Sequence, residues 1–244
     1  MDRLQLISYS LMSNGEHDLI VKHISASTQI PDYIYKQAIA IANNVITVFD
    51  DDYPNCLRDL RYTPMCLYYK GDKTLLKKTE SRIAIIGSRQ PTPYSLDAVK
   101  LLCNQKKDKV IVSGLAKGID ACAHQNASKT IAVLGCGIDY IYPSCNYDLF
   151  KKIEKEGLII SEYPSNTKPL GFHFPFRNRI IVGLSECTYV AECKEKSGTM
   201  TAINEALELG REVKVLPFNV FTALSNRVYN NTLINEGATI WDLK

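Results

Sequence analysis

Between residues 82 and 216 the chain repeats one pattern, a short and continuously apolar run followed by a longer amphipathic stretch. The runs are Arg82–Gly87, Val110–Gly114, Thr130–Gly135, Leu158–Ser161, Thr188–Ala191 and Glu212–Leu216. A strand that is apolar at successive positions needs cover on both faces, which is the condition of a parallel sheet packed between helices. The intervening stretches Leu96–Gln105, Gly118–Ser128, Asn146–Glu156, Asn178–Ser185 and Thr199–Leu209 are long enough for right-handed crossovers. The pattern predicts a doubly wound, mostly parallel α/β sheet.

Residues 1–55 read differently. Leu4, Leu6, Ile7 and Leu11, then Ile34, Ala38, Ile39 and Ile41, predict short helices, and Asp50-Asp51-Asp52-Tyr53-Pro54 breaks the pattern as a linker. Leu67-Tyr68-Tyr69 predicts a short strand leading into the sheet, and Ser225–Glu236 a last helix with Gly237 after its end. The segment after Pro217 is the expected dimer surface.

Composition excludes several classes. The apolar runs fall far short of the roughly 18 residues that a membrane span requires, and the start carries neither an apolar signal core nor a small-residue cleavage site. With no secretory signal, the eight cysteines, none in a C-x-x-C pair, are expected to be reduced and mostly buried, and no zinc spacing is present. Net charge is only +3, split as −1 over residues 1–80 and +4 over 81–244. Affinity for a polyanion must therefore come from a local cluster rather than from the whole surface.

That cluster is expected at one edge of the sheet. Gly87-Ser88-Arg89, Ser113-Gly114-Leu115-Ala116-Lys117-Gly118 and Gly135-Cys136-Gly137 all follow strand ends, where open α/β sheets bind ligands. Glycine turns admit a ligand to the backbone, and helix N-termini offer free N–H groups to anions. Arg89, Lys117, Arg177 and Arg179 would project there. The known nucleotide motifs fail: Gly135-x-Gly137 reaches Tyr140 where a third small residue is required, and no P-loop sequence occurs. Lys168–Arg179 interleaves three phenylalanines and a histidine with small residues before two arginines, a composition suited to stacking bases and holding phosphates. Two of the phenylalanines are expected to pack under that loop and one to face the ligand. Asp120 and His124 share a helix face; such a pair can transfer a proton, but the expected role is a structural hydrogen bond that holds the turn after Gly118. Ser197-Gly198-Thr199 can cap a helix or present N–H groups to a phosphate.

These residues carry a resemblance. Ile85–Arg89, Val112–His124, Ala132–Gly137 with Ile141-Tyr142-Pro143, Ile160–Pro164, Phe174–Ile181 and Glu195–Thr199 resemble, in order, the DNA-processing protein A family (DprA, also called Smf). The resemblance covers about residues 56–237. It implies a Rossmann-like domain over 56–244, preceded by a small helical domain of the SAM-like or helix-hairpin-helix-like kind over 1–55. The winged-helix-like domain found at the C-terminus of many members is not expected after the α/β core. It further implies a cytoplasmic homodimer that binds single-stranded DNA and loads RecA recombinase during natural transformation, with no cofactor, no membrane contact and no established catalytic activity. The implied DNA site comprises Arg89, Lys117, Gly118, Lys168, Phe174, Arg177, Asn178 and Arg179, with main-chain groups of Ser88, Ser113, Gly114, Ser197 and Gly198.

One rival is an enzyme. Phosphoribohydrolases of the cytokinin-activating type share a similar fold and carry a signature resembling P-G-G-x-G-T-x-x-E. Here Gly198-Thr199 is followed at that spacing by Ala202. The missing carboxylate argues against hydrolysis.

Overall fold

The computed structural model of the chain describes residues 1–77, 79–218 and 228–242. Three helices come first, α1 (Arg3–Met12), α2 (His17–Ser25) and α3 (Asp32–Ile41). Two strands follow, β1 (Val45–Thr47) and β2 (Cys66–Gly71). The repeating part then runs β3 (Arg82–Gly87), α4 (Pro93–Gln105), β4 (Val110–Ser113), α5 (Ile119–Asn126), β5 (Lys129–Leu134), α6 (Tyr147–Glu156) and β6 (Leu158–Ser161). It continues through α7 (His173–Gly183), β7 (Cys187–Glu192), α8 (Gly198–Glu208), β8 (Glu212–Val215), α9 (Asn230–Asn235) and β9 (Thr239–Ile240).

Among the described residues the nine strands form one sheet in the order β1-β2-β6-β5-β4-β3-β7-β8-β9. From β6 to β9 every pairing is parallel, whereas β1 and β2 add on antiparallel. The expected parallel sheet is thus present, and all six apolar runs are strands. Alternation along β3 sends Ala84 and Ile86 to one face and Ile83 and Ile85 to the other. Ile180, Ile181, Ala202, Ile203 and Leu233, from α7, α8 and α9, cover the first face. The second face is covered by α4 and α5 beside β3 and by α1, α3 and α6 beside β2 and β6. Local chemistry sets the ends of these helices. Thr92 caps α4 by accepting from the Ser95 N–H, with Pro93 in the first turn where no donor is lost. In α6, Leu149, Phe150 and Ile153 face the core.

The sheet begins at Val45, ahead of the expected border at 55, and Leu6, Ile7 and Tyr9 of α1 share a core with Tyr68 and Phe150. The Lys168–Arg179 stretch also departs from expectation. It is a loop only as far as Phe172, and α7 starts at His173. Pro175 fits because a proline in a first helical turn removes no intrahelical donor. Of the last predicted helix, Asn230–Asn235 is helical; residues 219–227, part of the expected dimer segment, lie outside the described residues. The eight cysteines are free thiols, six of them buried, with Cys56 half-buried and Cys145 exposed.

Candidate nucleic-acid interface

Strand order reverses between β3 and β7: the chain winds outward through β4, β5 and β6, then returns along α7 to the other side of β3. Crevices form at such switch points beyond the carboxyl ends of the strands. Here the crevice is a cleft of about 760 Å³ bounded by the turns after β3 and β4, by α7 and by the start of α8.

Its first wall is two abutting turns. Gly118 has φ +74, and a Cβ there would stand 2.4 Å from the Ser88 carbonyl oxygen and 2.8 Å from the Arg89 carbonyl carbon. Only glycine lets the β3 and β4 turns touch. The Ser88 carbonyl accepts from the Ile119 N–H, and Ser88 Oγ accepts from the Gln90 N–H. Arg89 and Lys117, one on each turn, are exposed and line the cleft.

The β4 turn is held from beneath. Asp120 Oδ2 accepts from the N–H groups of Gly114 and Ala116, and His124 Nε2 accepts from that of Leu115, whose φ is +56. Since Nε2 accepts, Nδ1 carries the proton and donates to Thr130 Oγ1 at 2.7 Å, and Thr130 donates to the Ile111 carbonyl. Burial, reinforced by the Arg177 charge, pulls His124 down to about 3, so the imidazole is neutral. Burial pushes the Asp120 carboxyl above its usual range, against the opposing pull of Arg177 and the turn N–H groups. The pair holds a turn, as the sequence suggested, but the one at 114–116, before Gly118. Ser113 is wholly buried under it, donating to the Ile85 carbonyl.

The floor is α7. Arg177, 4% exposed, lies flat on Gly114 and donates from Nη1 to the carbonyls of Gly114 and Val133. Its Nε is buried with no partner among the described residues. Burial lowers its affinity for the proton, partly restored by Asp120. Asn178 donates to the Gly198 carbonyl at 3.0 Å, pinning α7 to α8. Phe174 packs its ring over Gly135, where a Cβ would meet Cδ1 at 2.8 Å. Phe172 is 60% exposed and Phe176 half-buried, so the expected burial of two phenylalanines does not occur.

Two expected residues stand apart from this group. Arg179 is 2% exposed and points away from the cleft. It pairs with Glu162, donates to the carbonyls of Tyr62 and Phe176, and lies 3.7 Å over the Phe176 ring. The reason is the helix itself. At 3.6 residues per turn, positions two apart fall on nearly opposite faces, so Arg177 and Arg179 cannot both face the ligand. Lys168 is exposed in the preceding loop and does not line the cleft.

At the last wall Ser197 Oγ donates to the Lys194 carbonyl instead of capping α8, which leaves the first N–H groups of that helix without a side-chain cap among the described residues. Gly198 has open space where a Cβ would be. Lys194 adds a fourth cation that sequence reading did not single out. The carboxylates in the lining are engaged. Asp120 holds its turn, and Glu192 Oε2 accepts from Thr92 N–H, Thr92 Oγ1 and Ser95 Oγ. Four cations and an open helix N-terminus around one cleft suit a phosphate-bearing chain. Among the described residues no group of three or more His, Cys, Asp or Glu side chains is placed to hold a metal ion, and no helix is long and apolar enough to cross a membrane.

Comparison with known proteins identifies the family and the fold. The family model for DNA recombination-mediator protein A matches residues 44–243, beginning where β1 enters the sheet. The DNA processing protein DprA of Streptococcus pneumoniae is 42% identical over 199 residues, 80% of this chain and 69% of its own length. The crystal structure of the S. pneumoniae DprA superposes with a TM-score of 0.76 at 33% identity, over 98% of this chain and 88% of that one. DNA processing protein A from Helicobacter pylori, studied for its single-stranded DNA binding mode, gives a TM-score of 0.73 at 34% identity over 80% of this chain and 90% of that one. The chain belongs to the DNA recombination-mediator protein A family, the DprA or Smf proteins.

Proposed function

We propose that this protein is a binding module that captures single-stranded DNA in the cleft at the β3–β7 switch point. It shields the strand and hands it to RecA recombinase during natural transformation, as a cytoplasmic homodimer. The observation that carries the reading is Arg177, a buried guanidinium on the cleft floor whose Nε has no partner among the described residues. A buried cation with an unmet donor is stabilised by an anion that reaches it. Arg89, Lys117 and Lys194 supply further positive charge at the rim, and the main-chain groups of Ser88, Ser197 and Gly198 supply short-range donors. Asn178 and Phe174 keep the floor in place. The S. pneumoniae and H. pylori relatives support the same reading.

Binding rather than hydrolysis is supported by Ala202. It lines the cleft at the position where the phosphoribohydrolase signature has its glutamate. A methyl group there takes no proton.

The test is a gel shift with single- and double-stranded oligonucleotides, with and without purified RecA. Single strands are expected to bind preferentially and to promote a ternary complex with RecA. Binding should weaken with salt at a log–log slope of roughly −2 to −3, the value for three to four phosphates neutralised on a single strand. Equal binding of duplex, or a flat salt response, contradicts the assignment.

A further inference from the structure

Ile141-Tyr142-Pro143 belongs to the family resemblance but takes no part in the site as described so far. The structure gives Tyr142 a place in it. Phe174 is the ring that the sequence offers for stacking, yet its surroundings are occupied. The backbone of Gly135 packs against it, the Arg89 guanidinium stands 5.8 Å from its centroid, and the Tyr142 ring tilts against it at 5.3 Å and 35°. Tyr142 lines the same cleft and is 42% exposed. Its hydroxyl makes no hydrogen bond among the described residues.

The segment that carries Tyr142 is pinned at both ends. Toward its start, Gly137 N–H donates to the Thr167 carbonyl, Ile138 N–H to that of Tyr163, and Cys136 Sγ to that of Tyr140. Toward its end, Asn146 Nδ2 donates to the carbonyls of Leu115 and Ala116, which joins it to the turn bearing Lys117. An exposed ring on a braced loop loses little freedom when something stacks on it. Arg89, which stands over Phe174, and Lys117, on the turn that Asn146 holds, line the same cleft as Tyr142 and offer charge to the phosphates of a strand stacked there.

We infer that Tyr142 is the base-stacking platform of the cleft: a nucleobase of the bound strand lies on its open face, and Phe174 is the support behind the ring rather than the platform itself. The inference rests on the single-strand reading above. It predicts tolerance of base identity, since every base has a π-face.

The test separates the ring from the charges. Binding of an oligothymidylate and of a fully abasic deoxyribose oligomer of equal length is measured for the wild type, Tyr142→Ala and Tyr142→Phe. Tyr142→Ala is expected to weaken oligothymidylate binding about 5- to 150-fold and to leave abasic binding unchanged, and Tyr142→Phe to stay within about twofold of wild type. Equal losses on both oligomers, or no loss on either, overturn the platform while leaving the charged cleft intact. Failure of the wild type to bind oligothymidylate overturns the single-strand reading itself. Should Tyr142→Ala not fold, Tyr142→Trp decides. The protein's own Trp241 is buried against Tyr189 on the opposite face of the sheet from α7. The added indole fluorescence is expected to be quenched by oligothymidylate but not by the abasic oligomer, and unquenched fluorescence with bound oligothymidylate refutes the stacking.

Discussion

Replacing Gly114 by alanine tests whether the floor of the cleft is organised around Arg177. The added Cβ would stand 2.4 Å from Nη2, 2.5 Å from Nη1 and 2.6 Å from Cζ of that guanidinium. Ordinary contacts lie near 3.5–4 Å, so the guanidinium must move by about 1 Å or more. Moving it breaks the bonds from Nη1 to the Gly114 and Val133 carbonyls. A hydrogen bond with a charged partner contributes about 1.5–3 kcal/mol, and hydration regained in the open cleft offsets part of the loss. A net cost of roughly 2–4 kcal/mol follows. For a chain of this size that lowers Tm by about 4–16 °C. In an Arg177→Met background the flexible thioether can yield, so the same Gly114→Ala change should cost less than about 1 kcal/mol. The assay is a thermal-melt double-mutant cycle, with oligonucleotide binding measured in parallel. Equal cost of Gly114→Ala in both backgrounds refutes the contact as the organising feature.

Two further predictions concern groups beneath and beside the cleft. His124 is held neutral with its pKa near 3, while the unfolded chain titrates near ~6.5. The unfolded state therefore binds the extra proton. Stability from this group is full above about pH 6.5 and falls by up to ~1.4 kcal/mol per pH unit as acid is added. Urea denaturation at about pH 7 and pH 5 should show roughly 2 kcal/mol more loss for wild type than for His124→Gln, and equal losses contradict the buried neutral imidazole. Glu16, beside α2, hydrogen-bonds His173 Nε2 through Oε1 at 2.7 Å, and His173 is fully buried against Tyr163 with Nδ1 unpartnered among the described residues. Glu16→Ala should cost about 1–3 kcal/mol in denaturant unfolding by stranding both ring nitrogens, whereas an unchanged midpoint would show that α2 does not brace α7.

The sheet was legible because the strands from β3 to β7 carry apolar residues at successive positions, and β8, which alternates Glu212, Val213, Lys214 and Val215, still shows the period of two of a strand; both signals depend only on neighbouring residues. The Gly-bearing turns were legible for the same reason: glycine at a strand end marks close backbone approach, and Gly118 with its positive φ against Ser88 is such a case. β1 left no comparable trace, since three residues are too few for a pattern and its burial is conferred by β2 and the N-terminal helices. The start of α7 was hidden by Pro175 and a run of aromatics that read as loop. Once the segment is helical, Arg177 and Arg179 part to opposite faces, and one becomes floor while the other ties α7 to Glu162. Tyr142 and Lys194 enter the site only through tertiary placement, because nothing in their immediate sequence distinguishes a cleft-lining side chain from a surface one.

The central claim is that an anion-binding cleft at the β3–β7 switch point holds single-stranded DNA. Arg89 tests it most directly, being exposed and free of any structural hydrogen bond among the described residues. Fluorescence anisotropy with a labelled single-stranded oligonucleotide should show Arg89→Ala binding about 10- to 150-fold more weakly than wild type, the equivalent of one charge-assisted contact, with Tm within about 1 °C. Wild-type affinity in Arg89→Ala, with the fold intact, would contradict the account.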